Sequence, residues 1–385
     1  MNKDKPSKNS RCPCGSGKKY WKCCRAKKSP SQPSPSVIAK IARRFREQDD
    51  KRQNFIERFG HARVPVFTHM DDKLIIVVGS NIYKQTQEGP YGFMNVIHDN
   101  ALTFFGIPFL EAEEEKPYEE RHPAIKWMHT YVEHSQRLRD EGNTDPRADQ
   151  IGSGAAWFRF AYDLFTIGDN ATLEMLLKKR LLTPKFFQAA RHELRIAALC
   201  VVAGFDLQFE DEQDISRRHP EFIATDKFST LKIAVEVKSR HRKGVQGFES
   251  GLDINPGDQV NIRQPVTEAY KKDSTLPFYV FVDTNLPPVE DDTVWERWMD
   301  EIDKTMTDLQ AEGYADPCPA NIVFFSNDPS HYLAEEQIGN DQDRLWIKPY
   351  AATSPRVPHP DSNMAERFLK AYAQRLAPPD DLPDF

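Results

Sequence analysis

The chain has 385 residues, of which 39% are hydrophobic and 29% charged, and a formal net charge of −6. That length supports two or three domains with a sizeable core, and the composition is that of an ordinary globular protein. The longest apolar runs, such as Leu74 to Val78, are too short to span a bilayer. The basic N-terminus lacks the apolar stretch of a secretory signal, so a cytoplasmic location without a membrane partner is expected.

Residues 1–28 hold ten Lys or Arg and one acidic residue, a formal +9, which leaves −15 for residues 29–385. A head of this charge can contact phosphates, whereas the acidic body can hold nucleic acid only locally. Four of the six cysteines lie in the head, as Cys12-Pro-Cys14, eight residues, then Cys23-Cys24. In a reducing compartment so tight a cluster reads as metal ligands rather than disulfides, and four thiolates satisfy a tetrahedral zinc. Gly15-Ser16-Gly17 lets the backbone turn around the ion, and Lys18, Lys19 and Lys22 offset the thiolate charge. This run, with its Gly-Ser-Gly-Lys-Lys-Tyr centre at 15–20, resembles the SEC-C motif. The resemblance implies structural zinc and docking on a protein or ribosomal partner.

Residues 29–36, Ser-Pro-Ser-Gln-Pro-Ser-Pro-Ser, read as a flexible linker. Residues 37–183 read as a mainly helical region. Its first helix, 37–58, places Ile38, Ile41, Phe45 and Phe55 on one apolar side, and Leu74 to Gly79 forms a short strand. Helical spacing follows at 93–105, 124–138, 155–167 and 171–182, interrupted by a loop at 142–146. The acidic run Glu111 to Glu115 reads as a solvated loop or helix end.

From 184 to 350 the pattern changes to a mixed α/β core. A helix at 184–203 leads to strands at 205–209, 220–226 and 231–238, then a helix at 258–272 and a strand at 276–282. A helix at 293–312, with Trp295, Trp298, Ile302, Met306 and Leu309 at helical spacing, precedes strands at 321–326 and 344–348. Residues 351–385 supply a last helix at 364–376 and an acidic, Pro-rich end.

Within this core the strand Ile233-Ala-Val-Glu236-Val-Lys238 turns abruptly polar. Its period of two sends Glu236 and Lys238 to the same face. An acid and a lysine at the end of a buried strand are costly unless paired or coordinated. Glu221 stands at the start of the preceding strand and Glu193 on the helix before it. Phosphodiester hydrolysis requires a hard divalent cation, carboxylate oxygens to hold it and a group to orient water. Glu221 and Glu236 can hold Mg2+ or Mn2+, Lys238 can orient water or stabilise charge, and Glu193 can assist.

The order helix-Glu193, strand-Glu221, strand-Glu236-x-Lys238 resembles the PD-(D/E)xK, or restriction-endonuclease-like, nuclease superfamily over roughly residues 184–285. Glu221 departs from it, because Asp is usual there. The resemblance implies a restriction-endonuclease-like mixed sheet, preceded here by the helical region and the zinc knuckle, and metal-dependent hydrolysis of DNA. The alternative is a catalytically inactive adaptor of the same fold, binding nucleic acid or protein. Arg240, Arg242 and Lys243 are expected to meet the phosphate backbone, and Gln264 and Tyr270 to line the cleft. Asp71-Asp72-Lys73 and Glu114-Glu115-Lys116 also fit the short formula but lack the strand context.

Overall fold

The computed structural model describes residues 7–24, 34–63, 65–70, 73–85, 92–143, 150–210, 219–249, 259–272, 274–289, 291–312, 317–336, 338, 345–376 and 378. The linker at 29–33, the loop at 144–146, Asp71, Asp72 and the acidic end from 379 lie outside them. The chain divides into two compact units, Met1–Gln53 and Asn54–Phe385. No helix among the described residues is long and apolar enough to cross a membrane.

The first unit holds the cysteine-bearing loop and most of helix α1 (Pro35–Phe59). Ile41 and Phe45 are exposed and only Phe55, in the second unit, is buried, so the apolar side expected for α1 does not form one covered stripe. The side chain of Ile38 lies outside the described set.

The second unit opens with an antiparallel sheet of β1 (Val66–Met70), β2 (Lys73–Val78) and β3 (Asn81–Lys84). Only β2, the buried central strand, has an apolar run that sequence can reveal; the edge strands are largely exposed. Five helices follow: α2 (Phe93–Phe105), α3 (Ile107–Glu114), α4 (Pro123–Asp140), α5 (Gly152–Asn170) and α6 (Met175–Leu181). The acidic run is not wholly solvated, because Glu113 at the end of α3 is buried and pairs with Lys116 at 2.6 Å. Glu174 caps α6, its carboxylate accepting from the Leu177 amide at 2.7 Å.

Helix α7 (Pro184–Val202) begins with proline at its first position, where no amide hydrogen is needed. It then packs on a six-stranded mixed sheet in the order β4 (Phe205–Phe209), β5 (Phe222–Asp226), β6 (Lys232–Ser239), β7 (Phe278–Asp283), β8 (Ile322–Asn327) and β9 (Trp346–Ala351). The first three strands form an antiparallel meander, β6, β7 and β8 run parallel, and β9 returns antiparallel. Helices α8 (Arg263–Ala269) and α9 (Asp292–Ala311) make the two parallel crossovers.

Both sheet faces are covered, which is why the central strands read as continuous apolar runs. Val235, Tyr279, Phe281 and Phe324 face a cluster with α5, α7 and helix α10 (Met364–Ala373), where the Phe281 and Phe324 rings stack at 4.7 Å around Phe368. Val280, Val282 and Phe325 face α8 and α9, against Val266, Trp298 and Ile302. Alternation along β6 therefore places Glu236 and Lys238 on the α8 side.

Beyond the end of β8, Asp328 is 2% exposed and is shared by three guanidinium groups. Arg159 of α5 approaches at 3.1 Å and Arg191 of α7 at 3.5 Å, and Arg195 of α7 makes the closest contact. Ser330 Oγ donates to the same carboxylate at 2.6 Å. Burial works against this charge, but Arg195, Arg159 and Arg191 overcome it and hold Asp328 well below the ordinary carboxylate range. Replacing Asp328 by Asn leaves the buried Arg191 and the half-buried Arg159 and Arg195 short of a counter-charge. We expect Asp328→Asn to lower unfolding stability by about 3–5 kcal/mol in urea titrations; a change below about 1 kcal/mol would show that the arginines are compensated elsewhere.

Candidate functional site

The cysteine loop is built by short-range contacts. The Cys12 amide donates to the Lys18 carbonyl at 2.9 Å, and Gly15 and Gly17 take positive φ values of 78° and 66° that suit residues without a Cβ. A single 3-10 turn, Tyr20–Lys22, then delivers Cys23 and Cys24. The four ligand sulfurs all lie within 4.8 Å of one another. Cys14 Sγ is 3.3 Å from Cys12 Sγ and 3.4 Å from Cys23 Sγ, and Ser16 Oγ is 3.0 Å from Cys23 Sγ. Hydrogen bonds from Ser16 and then Cys12 lower the Cys14 thiol to about 6, whereas contacts with Cys12 and Cys14 push Cys24 up to about 12. Thiolates this close repel one another unless a cation lies between them. Four soft donors without an open position fit a structural zinc.

The second constellation lies at the end of β6. Phe222 pairs with Val235, so one further step of the register sets Glu221 beside Glu236, and the Glu221 amide donates to the Val235 carbonyl at 3.0 Å. Lys238 Nζ lies 2.6 Å from Glu236 Oε1 and 3.9 Å from Glu221 Oε1. Glu236 is fully buried, and Lys272, following α8, reaches the same Oε1 at 3.5 Å. Both ammonium groups lie on Oε1, and Oε2 has no hydrogen-bond partner. Burial and then Glu221 push the Glu236 carboxyl up to about 7. Burial would depress Lys238, but Glu236 and Glu221 outweigh it and keep the ammonium charged.

Above this floor opens a cleft of about 540 Å3. Glu193 lines it from α7, paired with Arg180 of α6 at 2.8 Å. The structure thus brings Glu193, Glu221 and Lys238 to one cleft, with Glu236 beneath it. The basic run divides. Arg240 lines the cleft but is mostly buried and donates to the Gln259 carbonyl at 2.7 Å. Arg242 turns inside, donating to the Asn285 carbonyl at 3.2 Å and the Tyr332 hydroxyl at 3.3 Å, away from the cleft. Lys243 is exposed and pairs with Glu249 at 3.1 Å. Gln264 lines the cleft and donates to Glu268 at 2.9 Å, but Tyr270 turns into the core against Cys318.

Sequence reasoning passed over Arg180, His241, Glu268 and Lys272. Glu268 and Gln264 share one helix face, a spacing that offered a weak signal. Arg180 and Lys272 offered none, because each reaches the site only through the packing of separate elements.

Residues 9–26 match the SEC-C motif. The knuckle is therefore a SEC-C module, and its Cys12, Cys14, Cys23 and Cys24 sulfurs fit zinc. No curated protein and no solved structure matches the chain.

Purified protein is expected to carry a single zinc at the SEC-C module, absent from Cys23→Ser, by atomic absorption. Retention of the full zinc content by that variant would place the ion elsewhere. A second expectation concerns Glu236. A carboxyl raised on folding costs nothing below 4.5, where both states are protonated, and opposes folding increasingly as pH rises toward 7. In metal-free protein Glu236→Gln should therefore stabilise at about pH 8 and not near pH 4.5. Equal stabilisation at both, by urea unfolding, contradicts this electrostatic account.

Proposed function

We propose that this protein is a metal-dependent phosphodiester hydrolase, a nuclease acting on DNA, whose 184–350 core is restriction-endonuclease-like and whose SEC-C module docks it on a protein or ribosomal partner. The observation that carries the reading is the buried Glu236 carboxylate. Its Oε2 has no hydrogen-bond partner, Glu221 stands beside it, and Lys238 reaches both acids at the floor of an open cleft. The strand order, an antiparallel meander followed by parallel crossovers, also suits that core.

Two carboxylates with free oxygens fit a hard divalent cation that takes few protein ligands. Magnesium or manganese held by Glu221 and Glu236 would supply Lewis-acid activation of water and neutralisation of phosphate charge. The remaining work falls to the chain's own groups. Lys238, kept cationic by its two acids, lies where it can orient the attacking water and stabilise negative charge developing on the phosphate. Glu193 faces the same space from α7 and can accept a proton or position water once substrate phosphate competes for Arg180. Burial below the cleft strengthens each of these interactions by lowering the local dielectric.

One observation favours the adaptor reading. Among the described residues, only the four cysteines bring three or more metal-ligating side chains together. An acidic floor with two carboxylates suits a degenerate site as well as a working one. The two readings separate on cleavage of single- and double-stranded DNA with magnesium or manganese. Lys238→Ala and Glu236→Ala should each lose roughly a hundredfold or more of the activity. Undiminished cleavage by both variants rules out this site, and binding without cleavage by the native chain favours the adaptor.

A further inference from the structure

A strand whose scissile bond lies over the cleft floor must continue along a wall of the cleft, and the walls differ in available charge. The two arginines of the basic run after Lys238 are committed within the fold, Arg242 to Asn285 and Tyr332 and Arg240 to Gln259, and the exposed Lys243 pairs with Glu249 at the surface. The wall formed by α6 and α7 is different. Residues 175–192 contain five Lys or Arg and no acidic residue, in a chain whose net charge is −6. Of these, Arg191 is drawn inside to Asp328, Arg180 lines the cleft paired with Glu193, and Lys178 lies 5.6 Å over the Phe104 ring, while Lys179 and Lys185 are exposed.

Helical geometry makes this wall continuous with the site. Ala189 and Glu193 both line the cleft, and one turn before Ala189 on the same face of α7 stand Lys185 and Phe186. Phe186 is 50% exposed, and Lys185 Nζ sits 6.0 Å from its ring centroid. Lysines in the last turn of α6 are favourable to that helix for its own sake. Lys185 is not, because it occupies the first turn of α7, where the helix dipole disfavours positive charge. A half-exposed ring beside cations forms a stacking platform for a base, with phosphates alongside.

We propose that the α6–α7 wall binds a single strand of nucleic acid, with Lys179, Lys185 and, once phosphate displaces Glu193, Arg180 along its phosphates and Phe186 under an unpaired base. A duplex hides its base faces from such a platform. An anionic lipid surface would also suit lysines beside an aromatic ring, but the continuity of this wall with the Glu221–Lys238 floor favours the strand. The proposal rests on the hydrolase reading for its orientation in the cleft.

The test is fluorescence anisotropy of the full-length protein with labelled single-stranded and duplex oligonucleotides, with calcium in place of magnesium. Lys179→Gln combined with Lys185→Gln should flatten the log–log salt dependence of single-strand binding by about 1.4, which is about 0.7 for each phosphate left without its lysine. Phe186→Ser should weaken single-strand binding by about tenfold or more and leave duplex binding unmoved. Phe186→Trp should restore it, with emission quenched on binding. An unchanged salt slope with unquenched Trp emission overturns the proposal, as does loss of binding to phosphatidylserine vesicles in place of loss of oligonucleotide binding. A chain that cleaves DNA normally while these variants bind like the native protein sinks the wall and spares the hydrolase. A chain whose wall variants lose binding but which never cleaves sinks the hydrolase and spares the wall, and one that binds no nucleic acid sinks both.

Discussion

The shared carboxylate of Asp328 is the constraint on which the arrangement of the second unit turns. It lies just past β8, yet its partners are Arg159 of α5 and Arg191 and Arg195 of α7, so one buried charge ties the sheet to its own packing helix and to a helix of the preceding region. Three cations around one carboxylate in a low-dielectric interior leave little freedom in how α7 may rotate, since any turn about its axis strands a buried guanidinium. With Arg191 and Arg195 committed inward, the face carrying Ala189 and Glu193 is directed to the cleft. The helix that closes the core is thereby the helix that positions the site.

The cleft floor shows the opposite electrostatic logic. Asp328 is stabilised in its charged form, whereas Glu236 is equally buried but raised to about 7, with its oxygens short of hydrogen bonds. Two ammonium groups, from Lys238 and Lys272, approach Oε1 and leave Oε2 without a donor. A purely structural ion pair gains from completing its hydrogen bonds, and this one has not done so. An incompletely satisfied acid beside a second acid, beneath a cleft, marks a candidate functional site.

The SEC-C module is held by a different principle. Its loop carries few buried apolar groups, and its geometry comes from glycine turns, a few backbone hydrogen bonds and four converging sulfurs. Zinc held by these sulfurs would couple metal binding to folding there, while the second unit has its own apolar core.

Local chemistry was readable from the amino-acid order alone. Cys12, Cys14, Cys23 and Cys24 lie within a few residues of one another, so their spacing already dictates convergence. Glu236 and Lys238 share a face because a strand has a period of two. Helix α2 and strand β4 fall at their expected bounds because strong amphipathic or alternating patterns leave little choice, whereas the exposed edge strands β1 and β3 carry no such pattern. Tertiary structure alone decided the rest. The basic run at 238–243 looks uniform in sequence, yet folding buries Arg242, half-commits Arg240 and leaves Lys243 with Glu249. Lys272 and Arg180 come to the site, and Tyr270 leaves it, through the packing of helices remote in sequence. Periodicity fixes which residues share a face, but which face meets solvent, core or cleft depends on how separate elements pack, and that information is not local to any segment of the chain.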